Sequence, residues 1–382
     1  MIQEYLFALS DQDKILSGIL ASLMLSMLIV KYTSLYKLRH KKSVISSVKQ
    51  GVSVIITSKN DGAFLRKNLD KFIKQDYPNF EVIVIDNCSF DDTQIILADY
   101  VRKYPNFRFS TINPDDKFTL SKKFALNIGI KAAKNDILIF SEANCFPVSD
   151  KWIDHIQSAF KPEVDVVIAY SNFVNDGSFL SSFLIYDRFI RIVRSLSFSM
   201  QKFAYRGDGA NIAYRKTAYF ENNFFSGNAQ TEVGYDSLPV VKMNKNKEIE
   251  VVIHPESHVL IDYMSIYKEW KDYKTLYYLS RFFCKKRKNF FINLMPLLKV
   301  ANLIVLVVFL VLSEHVFLIL SMFMIYESLF IVHKIILTNV LHEKKLFVYS
   351  LYADLVIGVL SFVQFLKARF TWFYGTTFKF IR

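Results

Sequence analysis

The chain is poor in cysteine, and its middle part lacks the long hydrophobic runs found on either side. Its 382 residues include Cys88, Cys145 and Cys284 as the only cysteines, and their spacing fits no metal-ligand pattern. An odd number of thiols with such spacing is typical of reduced cysteines in the cytosol. The sequence also has no internal repeat, low-complexity tract or long flexible linker. These absences exclude a disulfide-based scaffold, a cysteine-ligated metal site and a repeat architecture.

The sequence also lacks any segment that resembles a nucleic-acid-binding module, although its net charge is +13. Many of the basic residues lie beside apolar segments, where anionic lipid headgroups attract lysine and arginine. We therefore expect membrane lipids, and no nucleic acid, among the partners.

An apolar run of near-spanning length, residues 15–30, precedes the water-soluble part, which extends over about 52–259. A basic cluster at 37–42 follows the run, and basic flanks stay in the cytoplasm. We therefore expect an uncleaved N-terminal membrane anchor over residues 1–45, with a helix at about 15–32, and a cytoplasmic soluble domain. A cleaved signal peptide is the alternative, but its basic region would precede the apolar run.

Three further apolar stretches, 294–312, 316–337 and 346–366, are each long enough to cross a bilayer. They predict a C-terminal membrane region over 294–382 with about three helices, and hence a multi-pass protein of the inner (plasma) membrane. The basic C-terminal tail would then lie outside, against the charge rule, unless one stretch lies in the interface. Residues 263–293 combine aromatic and basic side chains and predict an amphipathic interfacial helix.

Strand-like and helical patterns alternate in the soluble part. Residues 52–57 and 81–86 are β-branched runs, and the apolar residues between them recur at helical spacing. Further strands are expected at 137–140 and 164–170, and helices at 122–134 and 183–205. Such βαβ units predict a parallel sheet whose strand ends carry the ligand site. Polar clusters follow three of these strands, at 58–61, 86–89 and 141–144.

The order of these motifs resembles family 2 of the inverting, nucleotide-sugar-dependent glycosyltransferases, especially its membrane-bound bacterial members. Residues 54–61 resemble the family's first strand and loop, and residues 75–86 its second strand. Residues 86–93, Asp-Asn-Cys-Ser-Phe-Asp-Asp-Thr, follow its Asp-Asp-Gly-Ser-x-Asp-x-Thr pattern. The resemblance covers about 51–288. It implies an α/β domain of the GT-A fold, the Rossmann-like fold of nucleotide-diphospho-sugar transferases, over residues 46–262 and flanked by transmembrane helices.

The resemblance implies a nucleotide site formed by Thr57, Asn60, Asp86, Ser89 and Lys123. The Asp86 carboxylate can accept hydrogen bonds from a uracil or a ribose, and it can equally cap a turn or helix. Residues 120–129 resemble the family's Lys-x-x-Ala-Leu-Asn-x-Gly stretch, in which a basic residue approaches the nucleotide. Lys122 and Lys123 are equally compatible with a solvated helix face.

The sequence departs from the family after the strand predicted at 137–140. Relatives carry Asp-x-Asp there, and its carboxylates hold Mg²⁺ or Mn²⁺, whereas this chain has Glu142-Ala143-Asn144. A hard cation accepts Glu and Asn oxygens, but one negative charge is lost. We therefore expect a divalent cation at Glu142 and Asn144 to be weakly bound or absent. A turn-capping role for Glu142 is the alternative.

The donor and acceptor pocket is expected to include Gly209 and Asn211, because residues 206–216 resemble the family's Gly-x-x-x-Asn-x-Ala-Tyr-Arg-Arg segment. Residues 267–274 lie where relatives carry a Gln-x-x-Arg-Trp type of motif, which adds Trp270 and Lys274 to the pocket.

Asp236 matches the acid that serves as the general base in the family's Gly-Asp/Glu-Asp-x-x-Leu motif. An inverting transfer needs one carboxylate that takes the proton of the acceptor hydroxyl. Glu232 is the reserve candidate, and an exposed helix-start residue is the alternative role of Asp236.

The sequence as a whole predicts a membrane-bound transferase that moves a sugar from a nucleotide-sugar donor, expected to be a UDP-sugar, with inversion. The expected acceptor is a lipid-linked sugar or a growing surface polysaccharide of the cell envelope. The alternative is a catalytically inactive family member that binds a nucleotide or serves as a scaffold for an active glycosyltransferase. The departures from the family pattern in the interfacial helix and at Asn87, Cys88, Glu142, Asn144 and Tyr235, which replaces an acidic neighbour of Asp236, motivate this alternative.

Overall fold

The computed structural model describes residues 10–41, 45–113, 121–228, 232–243, 247–313 and 315–350, together with isolated positions between 353 and 370. The chain divides into two compact units, a helical unit of Met1–His40 with Lys285–Leu351 and a sheet unit of Lys41–Cys284 with Tyr352–Arg382. Most of the apolar stretch predicted at 346–366 lies outside the described residues, so the third C-terminal helix stays a prediction.

The described elements alternate between helices and strands through most of the sheet unit. The helices are α1 (Asp11–Arg39), α2 (Gly62–Ile73), α3 (Thr93–Lys103), α4 (Lys122–Ala132), α5 (Trp152–Gln157), α6 (Phe179–Met200), α7 (Lys216–Glu221), α8 (Leu238–Lys242), α9 (Ile266–Ser280), α10 (Lys286–Leu312) and α11 (Val316–Val340). The strands are β1 (Val52–Ser58), β2 (Phe80–Asp86), β3 (Phe107–Thr111), β4 (Ile137–Glu142), β5 (Cys145–Pro147), β6 (Val164–Ala169), β7 (Ser171–Phe173), β8 (Ile212–Arg215), β9 (Glu248–Val252) and β10 (Val259–Ile261).

A seven-stranded sheet forms the centre of the sheet unit, with the order β3-β2-β1-β4-β8-β6-β9. Strands β3, β2, β1 and β4 pair in parallel, and so do β6 and β9. Strand β8 is antiparallel to both neighbours, β4 and β6. The carboxyl ends of β1, β2 and β4 therefore lie at one edge of the sheet, and the segment that leads into β8 reaches the same edge.

The sheet is covered on both faces, which explains the apolar composition of its central strands. All seven residues of β1 are buried, and β6 is buried along its whole length. Strand β3, which the sequence analysis missed, is an edge strand with a mixed burial pattern, and Arg108 on it contacts Glu81 of β2 at 2.8 Å. A second sheet has the order β5-β10-β7.

Helix α6 packs inside the sheet unit. Most of its residues are buried, and Ser178 caps its first turn by accepting a hydrogen bond from the backbone of Ser181 at 3.1 Å. The helix predicted at 183–205 thus begins and ends several residues earlier, and it packs within the sheet unit.

The single helix expected over 263–293 is broken in the structure. Helix α9 ends at Ser280, a 3-10 turn follows at Arg281–Phe283, and Lys285 has an extended backbone with φ −58° and ψ 145° before α10 begins. Residues 263–284 belong to the sheet unit, where Trp270 and Tyr277 are buried. The first part of this segment therefore packs within a folded unit, which differs from the expected continuous interfacial helix.

The helical unit is formed by α1, α10 and α11. Its core is apolar and contains residues from all three helices, namely Leu20, Met24, Met27, Leu306, Phe309, Ile319 and Tyr326. Helices α1 and α11 are each long and apolar enough to cross a membrane. They lie in the N-terminal segment and in one of the C-terminal stretches that the sequence predicts to span a membrane, and the anchor itself stays a prediction.

Candidate active site

Three of the predicted strand-end clusters meet at the carboxyl edge of the large sheet. In the register of the sheet, Ser58 pairs with Asp86 and Thr57 pairs with Glu142. The backbone nitrogen of Ala143 donates a hydrogen bond to the Thr57 carbonyl at 3.3 Å. The structure therefore places Thr57, Asp86 and Glu142 side by side at the carboxyl ends of neighbouring strands, as the βαβ pattern predicts.

The loops after β1 and β2 are tied together by Asn60 and Ser89. The Asn60 backbone nitrogen donates to Ser89 Oγ at 2.8 Å, and the Phe90 backbone nitrogen donates to Asn60 Oδ1 at 2.8 Å. Asn60 has a φ of 58°, a left-handed conformation that asparagine tolerates better than most residues. Both side chains thus shape the loops, so any nucleotide contact they make is in addition to these bonds.

Asp86 is fully buried at the end of β2. Its Oδ1 accepts a hydrogen bond from the Ser89 backbone nitrogen at 3.1 Å, whereas its Oδ2 has no hydrogen-bond partner among the described residues. A buried carboxylate oxygen without a donor is costly, and a ligand N–H or O–H would satisfy it. This is the feature expected of a residue that grips a base or a ribose.

Glu142, at the end of β4, is held by a lysine and a tyrosine. Lys122 Nζ lies 2.6 Å from Glu142 Oε1, and the Tyr235 hydroxyl donates to the same oxygen at 2.9 Å. The Lys122 ammonium also lies 4.3 Å from the centre of the Tyr235 ring. Burial raises the pKa of the nearby Asp61, and Lys122 opposes that shift. Lys122, Glu142 and Tyr235 thus form one cluster, which we call the Lys122 cluster.

The site predicted for a divalent cation does not fit one in this arrangement. Glu142 Oε1 is already occupied by the Lys122 ammonium and the Tyr235 hydroxyl. Asn144 Nδ2 donates to the Asp262 carbonyl at 3.2 Å, and its Oδ1 accepts from Cys145 Sγ at 3.5 Å. Mg²⁺ and Mn²⁺ need several oxygen ligands and are repelled by an ammonium group. Glu142 and Asn144 therefore do not form a cation site while Lys122 stays where it is.

Asp236 lies in a buried ion pair with Arg206. The carboxylate is 3% exposed, and its Oδ2 lies 2.8 Å from Arg206 Nε and 2.6 Å from Nη2. Burial raises the pKa of Asp236, although Arg206 acts in the opposite direction. Arg206 lies in a family-like motif, but the sequence indicates no role for it, because a pair 30 residues apart leaves no local pattern.

Glycines bring the segment before β8 close to this acid. A Cβ on Gly207 would lie 2.8 Å from the Asp236 carbonyl oxygen, and one on Gly209 would lie 2.1 Å from a carbon of the Tyr235 ring. Gly209 thus lies directly against the Lys122 cluster, and its place in a donor and acceptor pocket stays a prediction. Asp208, between these glycines, forms a buried ion pair with Arg188 at 2.6 Å.

Glu232, the reserve candidate for the base, is used as a helix cap. Both of its carboxylate oxygens accept from the backbone nitrogen of Lys122, at 3.1 and 3.2 Å. A carboxylate at a helix N-terminus is favourable, because the free backbone N–H groups and the helix dipole attract it. Glu232 therefore positions α4, which carries Lys122.

The other predicted site residues have their side chains engaged elsewhere. Lys123 is fully buried and donates to the Asn228 carbonyl at 2.6 Å, and burial lowers its pKa to about 8. Asn211 Nδ2 donates to the carbonyls of Tyr170 and Ser257 at 2.8 and 2.9 Å. The structure thus brings Lys122, and not Lys123, to the strand ends, and Asn211 joins three segments of backbone.

Trp270 and Lys274 both contact Asp187 of α6. Trp270 Nε1 donates to Asp187 Oδ2 at 2.7 Å, and Lys274 Nζ lies 3.2 Å from the same oxygen. Arg191 pairs with Asp187 Oδ1 at 3.0 Å. These contacts hold α9 against α6, so the two predicted pocket residues act here as packing residues.

A family model for glycosyl transferase family 2 matches residues 53–219 of the chain. The Dolichyl N-acetyl-alpha-D-glucosaminyl phosphate 3-beta-D-2,3-diacetamido-2,3-dideoxy-beta-D-glucuronosyltransferase of Methanococcus voltae is 25% identical over 189 residues, which are 48% of this chain and 53% of that protein. The Beta-monoglucosyldiacylglycerol synthase of Nostoc sp. is 28% identical over 127 residues, 33% of this chain and 26% of that protein. The chain thus spans about half or less of these relatives.

Among solved structures, the mannosyltransferase PcManGT from Pyrobaculum calidifontis, in complex with GDP-Man and Mn²⁺, is similar over most of its length. The match has a TM-score of 0.55 and 13% sequence identity, and it covers 90% of this chain and 98% of that one. At this identity the likeness shows the fold, a mixed α/β arrangement of the GT-A type around a central sheet.

Proposed function

The chain contains a glycosyl transferase family 2 domain with a GT-A-like fold, and from this we propose that it transfers a sugar from a nucleotide-sugar donor, a UDP-sugar, to a lipid-linked acceptor. The observation that carries the proposal is the meeting of Asp86, Lys122 and Asp236 with Gly209 around one edge of the sheet. The names of the two relatives refer to a dolichyl-linked sugar phosphate and a diacylglycerol, which supports an acceptor of the lipid-linked class. Helices α1 and α11 would hold the chain at the membrane that contains such an acceptor.

In this proposal the unpartnered oxygen of Asp86 accepts a hydrogen bond from the base or ribose of the donor. Backbone groups of the loops around Thr57, Asn60 and Ser89 lie beside it and approach the nucleotide. Because β1 and β2 are buried and paired within the sheet, these groups are held in position before the donor arrives.

Lys122 supplies the positive charge that the leaving diphosphate needs. Transfer breaks the bond between the anomeric carbon and the diphosphate, so negative charge develops on the leaving oxygen. The Lys122 ammonium lies against Glu142 at the end of β4, close to the place where relatives carry Asp-x-Asp. There it stabilises the charge on the leaving diphosphate. In this proposal the donor binds and reacts without a tightly bound Mg²⁺ or Mn²⁺ ion.

Asp236 is the proposed general base. The acceptor hydroxyl gives its proton to the carboxylate while its oxygen attacks the anomeric carbon on the face opposite the diphosphate, which inverts the configuration. Arg206 keeps the buried carboxylate ionised and orients it. The acceptor must reach Asp236 beside the small residues Gly207 and Gly209.

A second function is favoured by the same two ion pairs. Arg206 on Asp236 and Lys122 on Glu142 satisfy the carboxylates internally, as expected of an inactive domain that binds a nucleotide or supports an active glycosyltransferase. The two functions differ in turnover and not in nucleotide binding.

The experiment that tests the proposal is calorimetric titration of UDP and UDP-sugars into the detergent-purified chain, with EDTA or Mn²⁺, followed by a turnover assay with lipid-linked acceptors. We expect UDP to bind in EDTA and the affinity to fall about 10- to 100-fold in Asp86→Asn. Asp92→Asn, on the same loop but paired with Arg66, is the matched control. If neither UDP nor another nucleotide binds, both functions are wrong; binding without turnover favours the inactive partner.

A further inference from the structure

The ring of Tyr273, on α9, contacts two buried arginines. The guanidinium carbon of Arg188 lies 4.1 Å from the centre of this ring, and that of Arg206 lies 5.0 Å from it. Tyr277, one turn further along α9, has its ring centre 5.1 Å from Arg206. Arg206 is also the partner of Asp236, the proposed base. An aromatic face of α9 therefore holds the arginine that contacts the base.

The contacts of Tyr273 are made by a neutral ring and not by its hydroxyl. Burial raises the pKa of Tyr273 to about 12, although Arg206 and Arg188 oppose that rise, so the phenol stays protonated at neutral pH. The face of such a ring carries negative charge density and attracts a guanidinium group, especially where water is excluded. The hydroxyl is buried and has no hydrogen-bond partner among the described residues.

The ring is fixed by Arg188, which is itself tied to the sheet unit. Arg188 Nη2 lies 2.6 Å from Asp208 Oδ2 and 2.9 Å from Ser171 Oγ of β7. Phe173, also on β7, lies with its ring centre 4.9 Å from the Arg188 guanidinium. The Phe173 and Tyr273 rings meet edge to face, with centres 6.4 Å apart. Tyr273 is therefore held in place from the side of α6 and β7.

The orientation of Arg206 decides which oxygen of Asp236 is left for the acceptor. Arg206 Nε and Nη2 both contact Oδ2, and no other residue that the structure describes donates a hydrogen bond to Oδ1. Arginine and a carboxylate more often form two parallel bonds, one to each oxygen. That arrangement would occupy both oxygens, whereas the observed one leaves Oδ1 to take the proton of the acceptor hydroxyl.

Other charged or titratable groups surround Asp236 without contacting its oxygens. Burial raises the pKa of Asp236, Arg206 opposes that rise, and Asp208 adds to it. The charge of Asp236 also acts on Lys123 of α4 and on the phenol of Tyr235. Arg206 is the group that touches the carboxylate, so its orientation sets the geometry of the base.

We propose that Tyr273 is a positioning residue that keeps Arg206 on one oxygen of Asp236, so that the other oxygen stays open to the acceptor hydroxyl. The inference rests on the proposed function, in which Asp236 is the base. Tyr273 touches neither the donor nor the acceptor in this role. It therefore affects the rate of transfer through Asp236 and leaves nucleotide binding unchanged.

The test compares Tyr273→Leu, which removes the ring, with Tyr273→Phe, which keeps it, in the detergent-purified full chain. In Tyr273→Leu, Arg206 is free to form one bond to each oxygen, so kcat should fall at least about tenfold while UDP affinity stays the same. Tyr273→Phe loses a hydroxyl that has no partner. Its kcat should stay within about twofold of the wild type, and its melting temperature should not fall.

Tyr219→Leu is the matched control for the loss of a buried ring. Tyr219 packs against Phe224, with ring centres 5.9 Å apart, and stacks on no arginine among the described residues. This variant should have a lower melting temperature, and its kcat, measured where the chain is folded, should be that of the wild type. Equal losses of kcat in Tyr273→Leu and Tyr273→Phe would overturn the role given to the ring.

Infrared spectroscopy follows the titration of Asp236 without any need for turnover. The band of its protonated carboxyl is identified by its loss in Asp236→Asn. Bonds to both oxygens favour the ionised form, so in Tyr273→Leu this band should appear at lower pH than in the wild type, in Tyr273→Phe and in Tyr219→Leu.

An Asp236 titration that is the same in Tyr273→Leu as in the wild type would overturn the proposal. A wild-type chain that binds UDP and transfers no sugar would instead contradict the proposed reaction. In that case the infrared titration still decides whether Tyr273 positions Arg206 on Asp236, so the two failures are distinguishable.

Discussion

Arg206 contacts a single oxygen of Asp236, Oδ2, through both Nε and Nη2, at 2.8 and 2.6 Å. Both groups are almost fully buried, so neither charge is stabilised by water. Breaking such a pair costs about 3–5 kcal/mol, because the remaining charge is left buried and alone. The Arg206 charge therefore opposes the rise that burial causes in the pKa of Asp236, and it holds the carboxylate at the edge of the sheet where the donor is proposed to bind.

Asp236→Asn should abolish sugar transfer and leave nucleotide binding intact. The amide is similar in size and can still accept a hydrogen bond from Arg206, but it cannot take a proton, so we expect turnover to fall about 10²- to 10⁴-fold. Because Arg206 loses its counter-charge, the melting temperature should also fall, so turnover and UDP affinity are measured on the same preparation at a temperature where the variant is still folded. Undiminished turnover would show that another group is the base.

The pH dependence of transfer should reflect the environment of Asp236. Burial raises the pKa of Asp236 above its usual range, although Arg206 partly offsets this. The base works only when ionised, so kcat/KM should fall as the pH drops through this raised pKa, at a higher pH than for an exposed aspartate. Arg206→Lys removes the double contact, which should raise the pKa further and move the acid limb to higher pH. If the acid limb of the pH profile does not move in Arg206→Lys, the titration of Asp236 is not the cause of that limb.

Lys122→Met and Lys123→Met should differ in UDP binding, although the two lysines are adjacent. Lys122 contacts Glu142 at the strand ends, so its loss should weaken UDP binding about tenfold or more in EDTA. Lys123 is buried with a pKa lowered to about 8, so its replacement should leave UDP binding unchanged and raise the melting temperature at neutral pH. The same titration on both variants decides which lysine meets the donor.

Lys122→Met should also change the response to metal. Without the ammonium, Glu142 is free to accept a divalent cation, so Mn²⁺ should restore part of the UDP affinity that the variant loses. The wild type should respond little to Mn²⁺ over the same concentrations. A wild-type chain that binds UDP only with Mn²⁺ would contradict the role given to Lys122.

Asp187→Asn should destabilise the sheet unit by about 3–5 kcal/mol, because Arg191 and Lys274 are left buried without their counter-charge. Burial alone would raise the pKa of Asp187, but Arg191 and Lys274 outweigh it and lower the pKa. A lowered pKa contributes stability above the usual aspartate range, which is lost as the pH falls through the folded-state pKa. Urea unfolding at neutral and acid pH should show a wild-type advantage that shrinks in acid. Trp270→Phe, which removes one neutral donor, should cost less.

The sequence predicts most of the framework of the site, because the framework follows from local patterns. Strands β1, β2 and β4 are apolar runs that end in polar residues, and the helix around 122–134 has its own periodicity. Strands β8 and β9 of the large sheet were not predicted, and neither was β3, which lies at an edge and mixes buried with partly exposed residues. Its pairing with β2 depends on contacts that a period of two does not encode.

The detailed assignments of side chains depend on geometry that the sequence does not contain. Neighbouring helix residues point about 100° apart, so the direction of α4 decides that Lys122 and not Lys123 reaches Glu142. Likewise, Asp236 was identified from its motif, but its partner Arg206 became visible only when the two segments were seen in space. Glu232 became a helix cap for the same reason.

The reversed direction of β8 delivers residues 206–211 to the same edge as the loops after β1, β2 and β4. Two stretches of sequence that lie far apart therefore meet at one edge of the sheet, and the early stretch holds the residues proposed to bind the nucleotide. Under the proposed function, substitutions in the later stretch can accumulate during evolution without weakening nucleotide binding. Donor preference and acceptor preference are then separable traits, and a chimaera that exchanges the later stretch between relatives would inherit them from different parents.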